Sequence, residues 1–414
     1  MRSVFRRAID PILPVGRFTA FDRRVVFIIW VGGLIQGFAQ SQASASLPFT
    51  RVGLGLSEGE MSLLLGIARL AAFAALPIGW LGDHRGRRKP FLVAMTLVVA
   101  GGALAGLAVE AWQFGLFHGL LRTGTAATSA LAVVILAETV SAPIRAYAIS
   151  FYGAAVSLGS GMALMALPLA DGGGEAWRIP HLLTAAGFLL LPFLVKSVPE
   201  GTVYADDPKG GHWNELTSGV WARRFWTIVV INVLSAAYGA VGAAFSTERL
   251  IGDLGVSTGQ TVLTLLLGGT LGGVGFFVGG HLADTWGRRR TSIFSLLLTI
   301  AGGVTLYSAT SFPVVVIAAM VSAFGTFAFV PSGGSHRAEL FPTHLRSSAN
   351  TAATNAALAG SALGLISGIW TIETMGLSNT IYLLAVGVAI AALLTATLDE
   401  TMGQDLRAVS ADRR

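Results

Sequence analysis

The sequence predicts an all-α polytopic membrane protein with twelve transmembrane helices arranged as two duplicated halves. Three observations lead there. The 414 residues are 53% hydrophobic against 12% charged, with a mean hydropathy of +0.68, too apolar for the surface of a water-soluble globule. The apolar residues fall into twelve stretches, each near the roughly 20 helical residues that cross a bilayer core of about 30 Å. Finally, a charged motif in the first half returns 201 positions later.

Taken in order, charged or turn-rich breaks delimit the spans. The first, Val25–Leu47, ends before Arg51. The second, Glu60–Leu81, stops at Asp83, and the third, Pro90–Ala108, at Glu110. Trp112–Ala137 closes at Glu138. Ala146–Leu169 starts after Arg145, and Ile179–Val195 after Arg178. In the second half, Phe225–Thr247 and Thr258–Ala283 are parted by Glu248 and Arg249. Thr291–Ala309 follows Arg288 to Arg290, and Pro313–Gly334 precedes Arg337. Ser347–Ile372 and Asn379–Leu398 flank Glu373. Residues 25–195 and 225–398 are therefore the two membrane halves. Lys196 to Arg224, with Pro199, Asp206, Asp207, Pro208 and Lys209, is a polar linker between them. Residues 1–24 and 399–414 are polar tails, and Pro11, Pro14 and six Arg before the first span argue against a cleavable signal peptide.

Of the 28 Lys and Arg, 23 lie in the termini or the even-numbered connections, and only Arg51, Arg178 and Arg249 lie in odd-numbered ones. The positive-inside rule then places both termini in the cytoplasm. Short loops point to a bacterial inner membrane. Two cations remain within the spans, Arg69 and Arg122. The net charge of +6 is dispersed between apolar stretches, which is not the single basic face of a nucleic-acid binder. No cysteine is present, so thiol catalysis, thiolate metal sites and disulfide staples are excluded. No Walker motif, His-Glu-x-x-His site or Gly-x-Ser-x-Gly elbow occurs, so neither an enzyme nor an ATP-driven pump is expected. No cofactor or metal is expected either.

The repeat aligns Gly79-Trp-Leu-Gly-Asp83-His-Arg-Gly86-Arg87-Arg88-Lys89 with Gly280-His-Leu-Ala-Asp284-Thr-Trp-Gly287-Arg288-Arg289-Arg290. Near the same displacement, Glu138, Pro143 and Arg145 correspond to Glu339, Pro342 and Arg346, and Pro199-Glu200-Gly201 is echoed by Glu400-Thr401-Met402-Gly403. Two motifs at one offset indicate duplication. At these residues the chain resembles the major facilitator superfamily, and its Glu, Pro and Arg loops look like the sugar-porter and organic-ion branch. The first half-closing motif is reduced to Pro199-Glu200, and the second lacks the usual Pro. The resemblance implies two pseudo-symmetric six-helix bundles around a central cavity, with alternating access by rocking of the halves.

Gly79 and Asp83 share a face of the second span, so the missing side chain at Gly79 is expected to admit another helix closely. Asp83, Arg87, Glu138, Arg145 and Glu200 can form a charge network at the cytoplasmic end, echoed by Gly280, Asp284, Arg288, Glu339, Arg346 and Glu400. Such a network is expected only when the inner helix ends are together, favouring the outward-facing state. The bland alternative is that these charges merely solvate helix ends.

Adding 201 to Arg69 gives Thr270, and adding it to Arg122 gives Ala323, so both buried cations break the repeat. Arg69 is 14 residues from Asp83 and Arg122 is 16 from Glu138, similar depths at about 1.5 Å per residue. An Arg at the bilayer centre costs at least about 2.5 kcal/mol unless it faces water or a partner. The functional reading is recognition of an organic anion or carboxylate; the alternative is a packing role. For Arg122 the superfamily offers a precedent, a buried Arg in the fourth span, without the usual following Gln-Gly. His118, one turn before Arg122, is a candidate titrating group, although such a His is more often a satisfied core residue. Gln36, Gln40, Asn232 and Asn355 are candidate cavity-lining residues that can equally join helices.

Proton-coupled sugar porters carry an acidic residue in the first span and a Gln-Gln pair in the seventh; both are missing, which counts against sugar. No Asp or Glu occupies a mid-span position, so proton coupling would use His118, Glu248 or the substrate itself. The expected partners are therefore a small-molecule substrate, the lipid bilayer and protons as the candidate coupling ion, with no nucleic acid and a monomeric chain. The leading expectation is a secondary transporter of a small organic solute, with anions ahead of sugars. Multidrug or metabolite efflux, sugar transport and a transporter-like sensor are the alternatives. A sensor would need a signalling domain, and the 16 residues after Leu398 leave no room for one.

Overall fold

The computed structural model describes residues 18–140, 145–198 and 213–402. Among these, twelve helices are long and apolar enough to cross a membrane: Ala20–Ala45, Glu58–Gly82, Arg88–Ala105, Ala111–Leu136, Phe151–Ala170, Gly174–Val195, Ala222–Ala244, Thr258–Thr285, Arg288–Ser308, Phe312–Arg337, Ala349–Met375 and Leu377–Ala396. They match the twelve apolar stretches of the sequence and are numbered below as spans one to twelve. The fold is all-helical and integral to the membrane.

Local chemistry sets the helix ends. Thr19 and Ser57 form capping boxes with Asp22 and Glu60 at the starts of spans one and two, and Ser57 Oγ accepts from Glu60 N at 3.1 Å. The motif glycines Gly86 and Gly287 take φ of +90° and +121°, where side chains are strained. Each turns the chain sharply between two spans and lets the following arginines start the next helix. Span two is interrupted by a tight 3-10 turn at Ala71–Ala74; Pro77, four residues beyond Phe73, cannot donate to the Phe73 carbonyl.

Within each half the pairings repeat. Span one packs along span five and span three along span four; span seven packs along span eleven and span nine along span ten. Glycines displaced by 201 make these contacts. Gly159 lies on the Leu34 and Phe38 backbone, and Gly360 on the Val233 backbone. At Gly124 an added Cβ would sit 2.7 Å from the Ala94 carbonyl, and at Gly325 it would sit 2.7 Å from the Ser295 carbonyl. Such backbone approach is how helices associate in lipid, where no hydrophobic force drives them together.

The halves meet through spans two and eleven, and through spans five and eight, pairs that the internal two-fold exchanges. These contacts gather at the odd end, the end bearing the odd-numbered connections. There Ser57 Oγ donates to Glu373 Oε1 at 2.6 Å, Ser62 Oγ to the Leu365 carbonyl at 2.6 Å, Thr247 Oγ1 to the Ser44 carbonyl at 2.7 Å, and Thr258 Oγ1 to Asp171 Oδ2 at 3.0 Å. Gly66 lies against Ile366, its missing Cβ 2.8 Å from the Ile366 nitrogen. Beyond the 3-10 turn, the even-end part of span two packs on spans three and four of its own half.

Candidate functional site

Arg69 ends the first helical segment of span two, next to the 3-10 turn, and Arg122 lies on span four. Thr123 Oγ1 donates to the Ala71 carbonyl at 2.6 Å, which fixes the two spans together beside both arginines. Their guanidinium groups are within electrostatic reach of one another and of His118. Arg122 Nε donates to His118 Nε2 at 3.2 Å, so His118 carries its proton on Nδ1 and is neutral in this arrangement. His118 is 1% exposed and stacks on Phe114, with ring centroids 5.9 Å apart. Arg69 Nε is buried and has no hydrogen-bond partner among the described residues. No carboxylate pairs with either Arg among the described residues. Two like charges therefore lie near one another in a half-buried site.

The amide candidates divide. Gln36 is buried and donates to Ser129 Oγ at 2.7 Å and to the Thr125 carbonyl at 3.3 Å, while accepting from Tyr152 Oη at 2.5 Å. It ties spans one, four and five together, and Tyr152 and Ser129, which the sequence did not single out, complete that knot. Gln40 and Asn355 are half-buried and make no side-chain hydrogen bond among the described residues. Asn232 donates to the Ile228 carbonyl at 2.8 Å and accepts from Arg337 Nη1 at 3.3 Å.

That last contact involves the end of span ten. The charge count assigns Arg337 to an even-numbered connection, but span ten continues through it because Leu340, a turn beyond, is still packed into the core. Arg337 thus closes the helical body of span ten and reaches Asn232 of span seven.

At the even end of the second half, the expected charge network is assembled. Arg288 bridges Glu339, Nη2 to Oε1 at 3.1 Å, and pairs with Asp284. Thr401 Oγ1 donates to Glu339 Oε2 at 2.6 Å, and Glu400 accepts from the backbone nitrogen of Arg288 at 2.8 Å. Burial pushes the Glu400 carboxyl up, but backbone N–H bonds from Met402, Arg289, Arg288 and Thr401 outweigh it and hold the group below its ordinary range. This network lies wholly within one half, and it is present while the halves meet at the opposite end. In the second half it therefore joins helices of one bundle.

The expectation for Gly79 is corrected, and its repeat counterpart behaves alike. A Cβ at Gly79 would meet nothing within 4 Å, and one at Gly280 would make an ordinary 3.8 Å contact with Pro331. The close approaches fall on their neighbours, Gly82 against Leu131 at 2.7 Å and Gly279 against the Ala328 backbone at 2.5 Å. In the first half Arg87 is buried and has interaction partners. The side chains of Asp83, Glu138, Arg145 and Arg346, and the whole of Glu200, lie outside the described residues.

At the odd end lies a pair that joins the halves and that no sequence motif marks. Arg51 Nη2 donates to Glu248 Oε1 at 2.7 Å and its Nε to Oε2 at 3.3 Å, with Nη1 on the Leu56 carbonyl at 3.2 Å. Glu248 is 2% exposed. The bond to Glu248 holds the Arg51 guanidinium's pKa above its ordinary value. Residues 197 apart in sequence cannot be paired by local spacing.

No group of three or more His, Asp or Glu is placed to hold a metal among the described residues. A family description, Major Facilitator Superfamily, matches residues 29–280 and 228–408. The chain belongs to the major facilitator superfamily. Among superfamily relatives, it is 25% identical over 288 residues to Protein spinster homolog 3 of Danio rerio, covering 63% of this chain and 56% of that protein. It is 25% identical over 321 residues to the facilitated glucose transporter member 10 of solute carrier family 2 from Mus musculus, covering 67% and 56%. The chain thus spans little more than half the length of these curated relatives. The fold matches a bacterial homologue of the human lysosomal transporter Spinster, in an inward-facing and occupied conformation, with a TM-score of 0.75 at 17% identity over 92% of this chain and 97% of that one. It also matches the inward open xylose transporter XylE from E. coli, with a TM-score of 0.74 at 18% identity over 94% and 99%.

Proposed function

We propose that this chain is a secondary transporter of a small organic anion, a carboxylate above all, recognised by Arg69 and Arg122 and moved by alternating access. The observation that carries the reading is the pair of neighbouring half-buried arginines, one with an unpartnered Nε, with no carboxylate between them among the described residues. A planar carboxylate can accept from both and offset one of the two charges. The positive-inside pattern makes the even end the cytoplasmic one, and the short loops fit a bacterial inner membrane. The structure is then the inward-facing state, sealed outside by Arg51 and Glu248. Outward opening must break that pair, which makes Glu248 a candidate for proton coupling alongside His118.

A second reading, sugar transport, is favoured by the names of the relatives, a facilitated glucose transporter and a D-xylose transporter. A ligand-dependent thermal-stability screen separates the two, because a ligand that binds the native state raises its stability. Carboxylates should stabilise the wild type, with affinity falling at least tenfold in Arg69→Gln and in Arg122→Gln. Stabilisation by D-xylose or D-glucose that persists in both variants would contradict the anion reading.

A further inference from the structure

We infer a second anion site, separate from the Arg69 and Arg122 pair, in the second half between the even-end parts of spans seven, nine, ten and twelve, selective for small hydrophobic carboxylates. A cavity of about 210 Å³ lies there. Arg337 supplies its free donor capacity. Its Nη1 is held by Asn232 Oδ1 at 3.3 Å, which anchors the guanidinium, while its Nη2 has no partner among the described residues and is not buried. No acidic side chain pairs with it among the described residues.

The other polar groups of the wall are already used. Asn232 Nδ2 donates to the Ile228 carbonyl, Ser292 Oγ to the Arg288 carbonyl at 2.8 Å, and Thr395 Oγ1 to the Ala391 carbonyl at 2.7 Å. His336 Nε2 is bonded to the Asp399 carbonyl at 2.7 Å. The rest of the lining is apolar, including Ile231, Phe329 and Leu398. One unsatisfied cation in an otherwise apolar wall asks for a ligand with one anionic group and an apolar body. A sugar finds too few partners there, and inorganic phosphate finds no place for its other oxygens. The same chemistry could come from a free carboxylate or from the head of an anionic lipid, and the volume favours the free acid.

The chain has no cysteine, so Ile228→Cys is a unique thiol on the cavity wall. Benzoate should protect it from maleimide in a saturable way, in detergent and equally in nanodiscs of zwitterionic lipid. Arg337→Gln should weaken that protection at least tenfold, and phosphate should not protect. In the Arg69→Gln/Arg122→Gln background the protection should persist, which separates this site from the proposed substrate site. If that variant does not fold, Ile231→Cys in the wild-type background and in Arg337→Gln gives the same test. Protection unchanged by Arg337→Gln, protection lost with the arginine pair, or protection given only by anionic-lipid nanodiscs would each overturn the inference.

Discussion

A single guanidinium inside a membrane span is costly, about 2.5 to 3.5 kcal/mol at the centre, and Arg69 and Arg122 sit within reach of each other. Replacing either by Gln should therefore remove repulsion as well as a ligand contact. The expected outcome is an apo protein at least as thermally stable as the wild type that has lost carboxylate stabilisation, and a melting curve with and without ligand reads both. A merely structural role predicts the opposite, a variant that melts lower and binds as before. Glu400 supports a pH prediction. Its folded-state pKa is depressed, so its contribution is present above the ordinary carboxylate value and is lost as pH falls through the lower, folded value. Glu400→Gln should melt lower than the wild type near neutral pH, and the two curves should converge in acid. Arg69 and Arg122 were legible in the sequence because they break both the apolar pattern and the 201-residue repeat. Arg337 was not, because its neighbours Glu339 and Arg346 made it look like loop.

At the scale of helices, the repeat runs deeper than its charged motif. Gly101, Gly124 and Gly159 return as Gly302, Gly325 and Gly360, and each lies against the backbone of a neighbouring span. Those matches were present in the sequence but hidden among 52 glycines, since nothing local distinguishes a packing glycine from a flexible one. Gly124→Val should destabilise the protein by about 1 to 3 kcal/mol through forced separation of spans three and four, seen as a lower midpoint in thermal unfolding. Gly79→Ala should not, because its Cβ points into open space in this state and Ala gains up to about 1 kcal/mol of helix propensity over Gly. The span boundaries were legible to within a few residues. The 3-10 turn in span two was not, because Pro77 acts on a carbonyl a full turn before it.

For the whole molecule, the pairing of halves is invisible to local patterns, since Arg51 and Glu248 meet only once both bundles have formed. Removing one partner of a buried pair costs about 3 to 5 kcal/mol where the pair is made, and that cost falls only on the state sealed at the odd end. Arg51→Ala should therefore move the population by two orders of magnitude or more toward the opposite state. Spin labels at Val52→Cys and Gly259→Cys should report longer distances across the odd end in that background; an unchanged distribution would show that the pair does not hold the state. The anion-transport account is tested most directly by counterflow in proteoliposomes, using the carboxylate that stabilises the purified protein most. It predicts saturable, protein-dependent exchange that is abolished by Arg69→Gln and by Arg122→Gln. Exchange that survives in both variants, or none with the wild type, would contradict it.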